Sequence, residues 1–314
     1  MRSHRRHARS ATLSGHLRRA PETAKFIRRA APVFFREISK DYSRDINPAP
    51  HHPNAQRWPE EGLHAAWLGH STVLLKVDGF TILTDPVFSA RIGLNFGPLT
   101  IGIKRLVDVA IAVKELPAID LILLSHAHMD HFDIPSLRQL ESGRTTVVTA
   151  AHTADLLRPK RYSLVHELRW RDRARVGPAV VTAFEVLHWG ARMRSDVHRG
   201  YNGYLVEIGD RRIVFGGDTA YTDCFRTIRS SKPVDLAIMP IGAYDPWIRV
   251  HCNPEQAWAM AKDAGAEYVL PVHHQTFSLS REAKLEPIDR LLTVAAASAD
   301  RVCLREIGQE WSIT

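Results

Sequence analysis

Cysteine is scarce: the 314 residues contain three, Cys224, Cys252 and Cys303, an odd number with no CxxC spacing. That argues against a disulfide framework and against a zinc–thiolate site, and a reducing compartment fits best. Nowhere do eighteen apolar residues follow one another, so a membrane-spanning helix is not expected. The stretch nearest to a signal peptide, Ala30-Ala31-Pro32-Val33-Phe34-Phe35, is too short and runs straight into Arg36 and Glu37; the pair Arg28-Arg29 lacks the flanks of a twin-arginine signal. No internal repeat of fixed short period is present. A body without a basic excess also argues against nucleic-acid binding.

What charge there is sits at one end. Residues 1–44 carry a net +9 against +8 for the whole chain, which leaves −1 for the remaining 270. Basic and apolar residues interleave in that segment (Phe26, Ile27, Val33, Phe34, Phe35 and Ile38). Such a pattern suits an arm lying on an anionic membrane surface, or equally a solvated arm or a helix packed on the domain. The expected location is cytoplasmic, with peripheral membrane contact through the arm.

The remainder has an ordinary hydrophobic content, 45% over the whole chain, and enough length to bury a full core. A Pro/His/Asn-rich stretch, Asn47-Pro48-Ala49-Pro50-His51-His52-Pro53-Asn54, reads as a linker. The division expected is therefore an arm and linker over 1–60 and a catalytic domain over 61–314. Strand-like runs follow at 65–68, 72–77 and 80–84, the last two joined by the hairpin signal Asp78-Gly79. Further strands are expected at 121–124, 145–149, 180–187, 204–208, 212–215, 236–239, 269–272 and 302–305. Helices are expected at 135–140, 254–264 and 287–297, the last two with proline in the first turn. Meandering hairpins that give way to alternating strand and helix suit an α/β fold with sheet packed on sheet and helices outside, an αββα sandwich.

Chemistry concentrates behind one apolar run. After Leu121-Ile122-Leu123-Leu124 comes Ser125-His126-Ala127-His128-Met129-Asp130-His131. Three imidazoles and a carboxylate in six positions at a strand's end are the groups that hold Zn²⁺ or a similar cation. His126 and His128 can grip one ion, and Asp130 with His131 can reach a second nearby. Three later strand runs also end in ligand-type residues: His188 before Trp189-Gly190, Asp218 within Gly216-Gly217-Asp218-Thr219, and His273 after the run at 269–272.

HxHxDH followed in order by His, Asp and His resembles the metallo-β-lactamase superfamily, whose fold is the αββα sandwich. The resemblance implies that His126, His128 and His188 hold a first metal, that Asp130, His131 and His273 hold a second, and that Asp218 bridges them. His274 is the rival of His273; the family's ligand opens an HxxTF segment, here His273-His274-Gln275-Thr276-Phe277, which favours His273. Where the family usually has Trp-Gly, this chain has His274-Gln275. The implied cofactors are two divalent ions, Zn²⁺ by default, with Fe and Mn also compatible.

Connecting segments narrow the resemblance. Trp67-Leu68-Gly69-His70-Ser71-Thr72, Leu83-Thr84-Asp85-Pro86-Val87-Phe88-Ser89 and Gly217-Asp218-Thr219-Ala220-Tyr221 are similar to the N-acyl-phosphatidylethanolamine-hydrolysing phospholipases D. So are Pro240-Ile241-Gly242-Ala243-Tyr244-Asp245-Pro246 and Val250-His251-Cys252-Asn253-Pro254-Glu255-Gln256-Ala257. One group of true β-lactamases has a Cys ligand near the position of Asp218, and no cysteine sits there in this chain. The expected activity is that of a binuclear, metal-dependent phosphodiesterase of phospholipase D type, acting on N-acyl-phosphatidylethanolamine or a similar amphipathic phosphodiester. Lactone or ester hydrolysis by the same metals is the alternative, and an inert metal-binding protein a third. Asp130 and His251 are the expected catalytic groups, His251 as a phosphate contact or as the acid for the leaving oxygen. Asp85 is expected to orient a ligand histidine, and His70 and Tyr244 are pocket candidates. Relatives that form dimers make a homodimer the expected assembly.

Overall fold

In the second half of the chain, apolar residues point alternately to two sides of the strands they build. On β12 (Arg211–Phe215), Ile213 and Phe215 enter one core while Val214 enters another. On β13 (Val234–Pro240), Leu236 and Ile238 face the first core, Ala237 and Met239 the second; β14 (Ala266–Val272) divides Leu270 and Val272 from Val269 in the same way. A sheet apolar on both faces must be covered on both. The first core is shared with the other sheet of a sandwich. The second is closed by helices α2 (Pro254–Ala264) and α3 (Glu286–Ala295), through Trp258, Ala261, Ile288 and Leu291. The computed structural model describes residues 44–96, 99–193 and 195–314; the basic arm, whose docking role was inferred from sequence, lies outside them.

The first sheet contains β1 (Leu63–Gly69), β2 (Thr72–Val77), β3 (Phe80–Thr84), β6 (Leu121–Leu124), β7 (Thr146–Ala150) and β8 (Leu164–Leu168), with β15 (Glu310–Ile313) at its edge, in the order β15-β1-β2-β3-β6-β7-β8. The second runs β14-β13-β12-β11-β10-β9, with β9 (Arg173–Val176), β10 (Ala179–Phe184) and β11 (Gly203–Ile208). A separate hairpin joins β4 (Arg91–Phe96) to β5 (Leu99–Lys104). Helix α1 (Ile134–Gln139) begins at Asp133, whose carboxylate accepts from Ser136 N. Helix α2 carries a full capping box, Asn253 with Gln256, and ends on Gly265 in the left-handed region.

Direction matters more for the site than strand order. Strand β1 is antiparallel to β2, β2 to β3, and β3 is parallel to β6, so β1, β3 and β6 all run one way. By the same logic β10, β12, β13 and β14 run together. Each set therefore delivers its carboxyl ends to one edge of its sheet, where ligand sites of α/β folds gather.

Three differences from the sequence reading have plain causes. Residues 302–305 form only an isolated bridge, Val302 to Val269, and the last strand is β15 on the opposite sheet. The strand expected at 180–187 stops at Phe184, which frees the next residues to form the loop to His188. The Pro-rich stretch after residue 44 packs on the domain. Asn47 bonds Leu106 and Asp108 through its backbone, and Trp58 Nε1 donates to Glu310 at 2.6 Å. The compact unit accordingly begins at Asp45. Among the described residues no helix is long and apolar enough to cross a membrane, and Cys224, Cys252 and Cys303 are unbonded thiols.

Candidate metal centre

The strand ends converge as a set. His70 follows β1, Asp85 follows β3, His126 to His131 follow β6, His188 follows β10, Asp218 follows β12, His251 lies on the loop after β13 and His273 follows β14. Three of these residues pay for their position in backbone strain: His70, Asp85 and His273 hold φ of 51°, 30° and 65°. Gly217, at φ 57°, has no room for a side chain, since a Cβ would stand 2.8 Å from Asn202 O and 2.9 Å from Ser125 Cβ. It brings the Asp218 loop against the histidine motif.

At one end of the centre, ring nitrogens meet. His126 Nε2 is 2.8 Å and His188 Nε2 3.2 Å from His128 Nδ1. Two nitrogens bound tetrahedrally to one Zn²⁺ at about 2.0–2.1 Å would be roughly 3.3 Å apart. The rings are held with lone pairs inward. Ser125 Oγ donates to Asp85, so His126 Nδ1–H donates to Ser125 Oγ (2.9 Å), while His188 Nδ1–H donates to Val250 O (2.8 Å). Both Nε2 atoms are left as acceptors. Burial, aided by neighbouring rings, holds His126 well below the ordinary imidazole range, His128 down at about 3 and His188 at about 4.

The other end is built with carboxylates. Asp130 Oδ2 lies 3.0 Å from His70 Nε2, 3.4 Å from His273 Nε2 and 3.5 Å from His131 Nε2. Asp218 Oδ2 is 3.1 Å from His131 Nε2 and 3.2 Å from His273 Nε2, and it also reaches His188 at 3.8 Å and His126 at 4.0 Å. It thus lies within 4.0 Å of histidines at both ends. Burial pulls His273 down, but Asp218 and Asp130 more than offset it and hold it up at about 9. Burial likewise opposes both carboxylates, yet the surrounding histidines keep Asp130 and Asp218 well below the usual range.

These residues fit a divalent cation. His131 Nδ1–H donates to Asp85 Oδ2 at 2.6 Å, and its Nε2 faces two carboxylate oxygens, an arrangement that calls for a positive charge on the ring or beside it. His131 Nε2, His273 Nε2 and Asp218 Oδ1 are buried and make no hydrogen bond. Electron-rich atoms so placed repel one another unless a positive charge lies between them. Four overlapping groups have donor atoms close enough to share an ion. They are His126/His128/His188, His70/Asp130/His131/His273, Asp85/His126/His131 and His188/Asp218/His251.

All seven residues named as ligands from sequence are therefore brought together, and His273 rather than His274 faces the carboxylates. The His274 ring stacks on Trp67 instead, with centroids 4.6 Å apart. His251 joins the cluster, its Nδ1 3.7 Å from Asp218. Asp85 accepts from Ser125 N and Oγ as well as from His131, and orders the loop through all three. Tyr244 stands apart: its hydroxyl donates to Glu286 and its ring lies under Arg290, 4.9 Å from the guanidinium carbon. Trp189 walls the three-histidine end, 4.6 Å from both His128 and His188. Sequence reading missed the direct bond from His70 to Asp130 and the buried role of Ser125; the adjacency of Ser125 to the motif was the only signal for the latter.

Comparison with known proteins agrees with this geometry. Residues 81–274 match the model of the β-lactamase superfamily domain. The chain is 34% identical over 267 residues to an uncharacterised protein of Mycobacterium tuberculosis, covering 82% of this chain and 70% of that one. It is 31% identical over 261 residues to N-acyl-phosphatidylethanolamine-hydrolysing phospholipase D 1 of Caenorhabditis elegans, covering 77% and 72%. In fold it is similar to an isothiocyanate hydrolase from Delia radicum gut bacteria, with a TM-score of 0.64 at 16% identity over 80% of this chain and 99% of that one. A metallo-β-lactamase fold protein of Bacillus subtilis gives 0.57 at 19% identity over 81% and 100%. The chain belongs to the β-lactamase superfamily and is a metal-dependent hydrolase of the metallo-β-lactamase fold.

Proposed function

We propose that this hydrolase is a phosphodiesterase of phospholipase D type that acts on N-acyl-phosphatidylethanolamine or a similar amphipathic phosphodiester. In this reading two divalent ions, Zn²⁺ by default, are held by His126, His128 and His188 and by Asp130, His131 and His273, with Asp218 between them. Ions held there would supply Lewis-acid polarisation of the phosphoryl group and would acidify water. The chain's own residues do the rest. His251, kept neutral by burial, offers its ring as a hydrogen-bonding contact for the phosphoryl group. Asp85 and Ser125 fix the ligand rings, and Trp189 walls one side.

The observation that carries the substrate class is a set of exposed apolar residues close in sequence to the histidines and aspartate of the centre. Leu187, Tyr221 and Ile248 are 44%, 41% and 43% exposed, and they sit one, three and three residues from His188, Asp218 and His251. The first two lie on loops bonded to each other, Ala220 N to Leu187 O at 2.8 Å. Exposed apolar side chains on the loops that carry His188, Asp218 and His251 suit a substrate with a phosphate and a lipid portion. Likeness to the C. elegans phospholipase points the same way. The basic segment over 1–44 would add attraction to an anionic bilayer, and the protein would work as a homodimer peripheral to a cytoplasmic membrane face.

Metal-replete protein should release phosphatidic acid and an N-acylethanolamine from N-acyl-phosphatidylethanolamine vesicles, and chelator should stop it. Cleavage of lactones with every phosphodiester left intact would overturn the assignment.

A further inference from the structure

We propose that Arg192 is a positioning residue of the metal centre: its guanidinium staples the ligand loop after β6 to the loop that carries His188. One nitrogen, Nη1, donates to two carbonyls, Ala127 O at 3.0 Å and Phe132 O at 2.7 Å. Ala127 lies between His126 and His128, and Phe132 directly follows His131. Both ends of the segment that supplies four ligand-type side chains are thus tied to one atom. Arg192 itself lies four residues beyond His188, so the same atom ties together the two loops that form the three-histidine end.

The need for a staple follows from where the ligands lie. Ligands on loops are less well fixed than ligands on strands, and metal sites tolerate only small displacements. Within the loop after β6, the backbone stitches are His131 N and Phe132 N, both donating to His128 O; these hold its C-terminal half to His128 and leave Ala127 O to Arg192. The His188 loop closes on itself where Gly190 meets its far side, since a Cβ there would stand 2.3 Å from Gly200 O. Its far side is anchored too, first to the start of the ligand loop, where Tyr201 bridges to His126 and Asn202 N donates to Ser125 O, and then further away. Arg199 pairs with Asp155 and Asp196, and Gly200 N donates to Ala151 O. Arg192 and Arg199 therefore pin opposite parts of one loop, but only Arg192 reaches the residues around the metal ligands. A planar guanidinium with several fixed N–H groups suits two divergent carbonyls better than a compact ammonium does.

The inference rests on the metal centre and not on the substrate class, so it is tested without substrate. Zn²⁺ affinity is measured by competition with a chromophoric chelator, and Co²⁺ absorption reports ligand geometry, for the full chain and its variants. Arg192→Met should weaken metal binding by about 10–100-fold and alter the Co²⁺ spectrum, as loss of a group that orients ligands does. Arg192→Lys should recover part of the affinity, and methylguanidinium should restore it to Arg192→Ala. Arg199→Met, which loosens the same loop at its far side, should lower Tm with metal affinity held within about threefold. Equal loss in the Arg192 and Arg199 variants, or wild-type affinity in Arg192→Met, would overturn the staple. Should Arg192→Met not fold, the Lys variant and the guanidinium rescue decide, and failure of both counts against it. A wild-type protein that binds metal but cleaves no phosphodiester would sink the substrate reading and leave the staple standing.

Discussion

The two ends of the histidine–carboxylate centre are built on different terms. At one end His126, His128 and His188 are neutral imidazoles, desolvated and oriented so that lone pairs converge. At the other, His131 and His273 are held above their ordinary range by Asp130 and Asp218. The first end offers electron pairs; the second demands positive charge. Both draw on both sheets, since His188, Asp218 and His273 come from the second sheet and His126, His128, Asp130 and His131 from the first. Metal binding at either end therefore fastens the two halves of the sandwich together.

Asp218 lies within 4.0 Å of histidines at both ends, and its loss should have the largest effect. Asp218→Ala should lower kcat by about 10³-fold or more, since the Lewis-acid contribution is several kcal/mol; activity within tenfold of wild type would show that the ends work separately. Asp85→Asn should reach both ends, since Asp85 holds His131 directly and His126 through Ser125. By disturbing both tautomers it should weaken metal binding by about 10–100-fold, read by competitive titration.

The smallest effect is the most diagnostic of the contrast, and it concerns protein stripped by chelator. His273, raised to about 9, contributes stability that is present below the unfolded value near 6.5 and lost as pH rises through about 9. His128 and His188, lowered to about 3 and 4, act in the opposite sense: stability is lost as pH falls from about 6.5 towards those values. Stripped protein should therefore show a Tm maximum near pH 6.5, and the alkaline limb should shrink in His273→Phe, with His131 retaining the rest. A Tm that climbs steadily to pH 9 would mean that the two ends do not differ in this way.

Much of the centre was legible because its chemistry is local. His126 to His131 stand within six residues behind an apolar strand, and His188, Asp218 and His273 each close a run of strand residues. Fold class followed from the motif as well, since the strand and helix runs alone suit more than one α/β layering. Illegible were the features that depend on chain sections far apart. Arg192 is a single arginine some sixty residues from the loop it bonds, with no periodicity to mark it. Hairpin β4–β5 was obscured by Gly93 and Gly102, which strands ordinarily avoid and which here face each other across it. Tyr244 was drawn towards the pocket by its neighbours in sequence, but its hydroxyl finds Glu286 on α3, and only the packing of that helix could reveal this.

Metal content tests the central claim most directly. Elemental analysis of the purified, active chain should find two divalent ions per molecule, with His126→Ala and His131→Ala each retaining about one. Fewer than one ion in a fully active sample, or unchanged content in both variants, would contradict a centre made from these side chains.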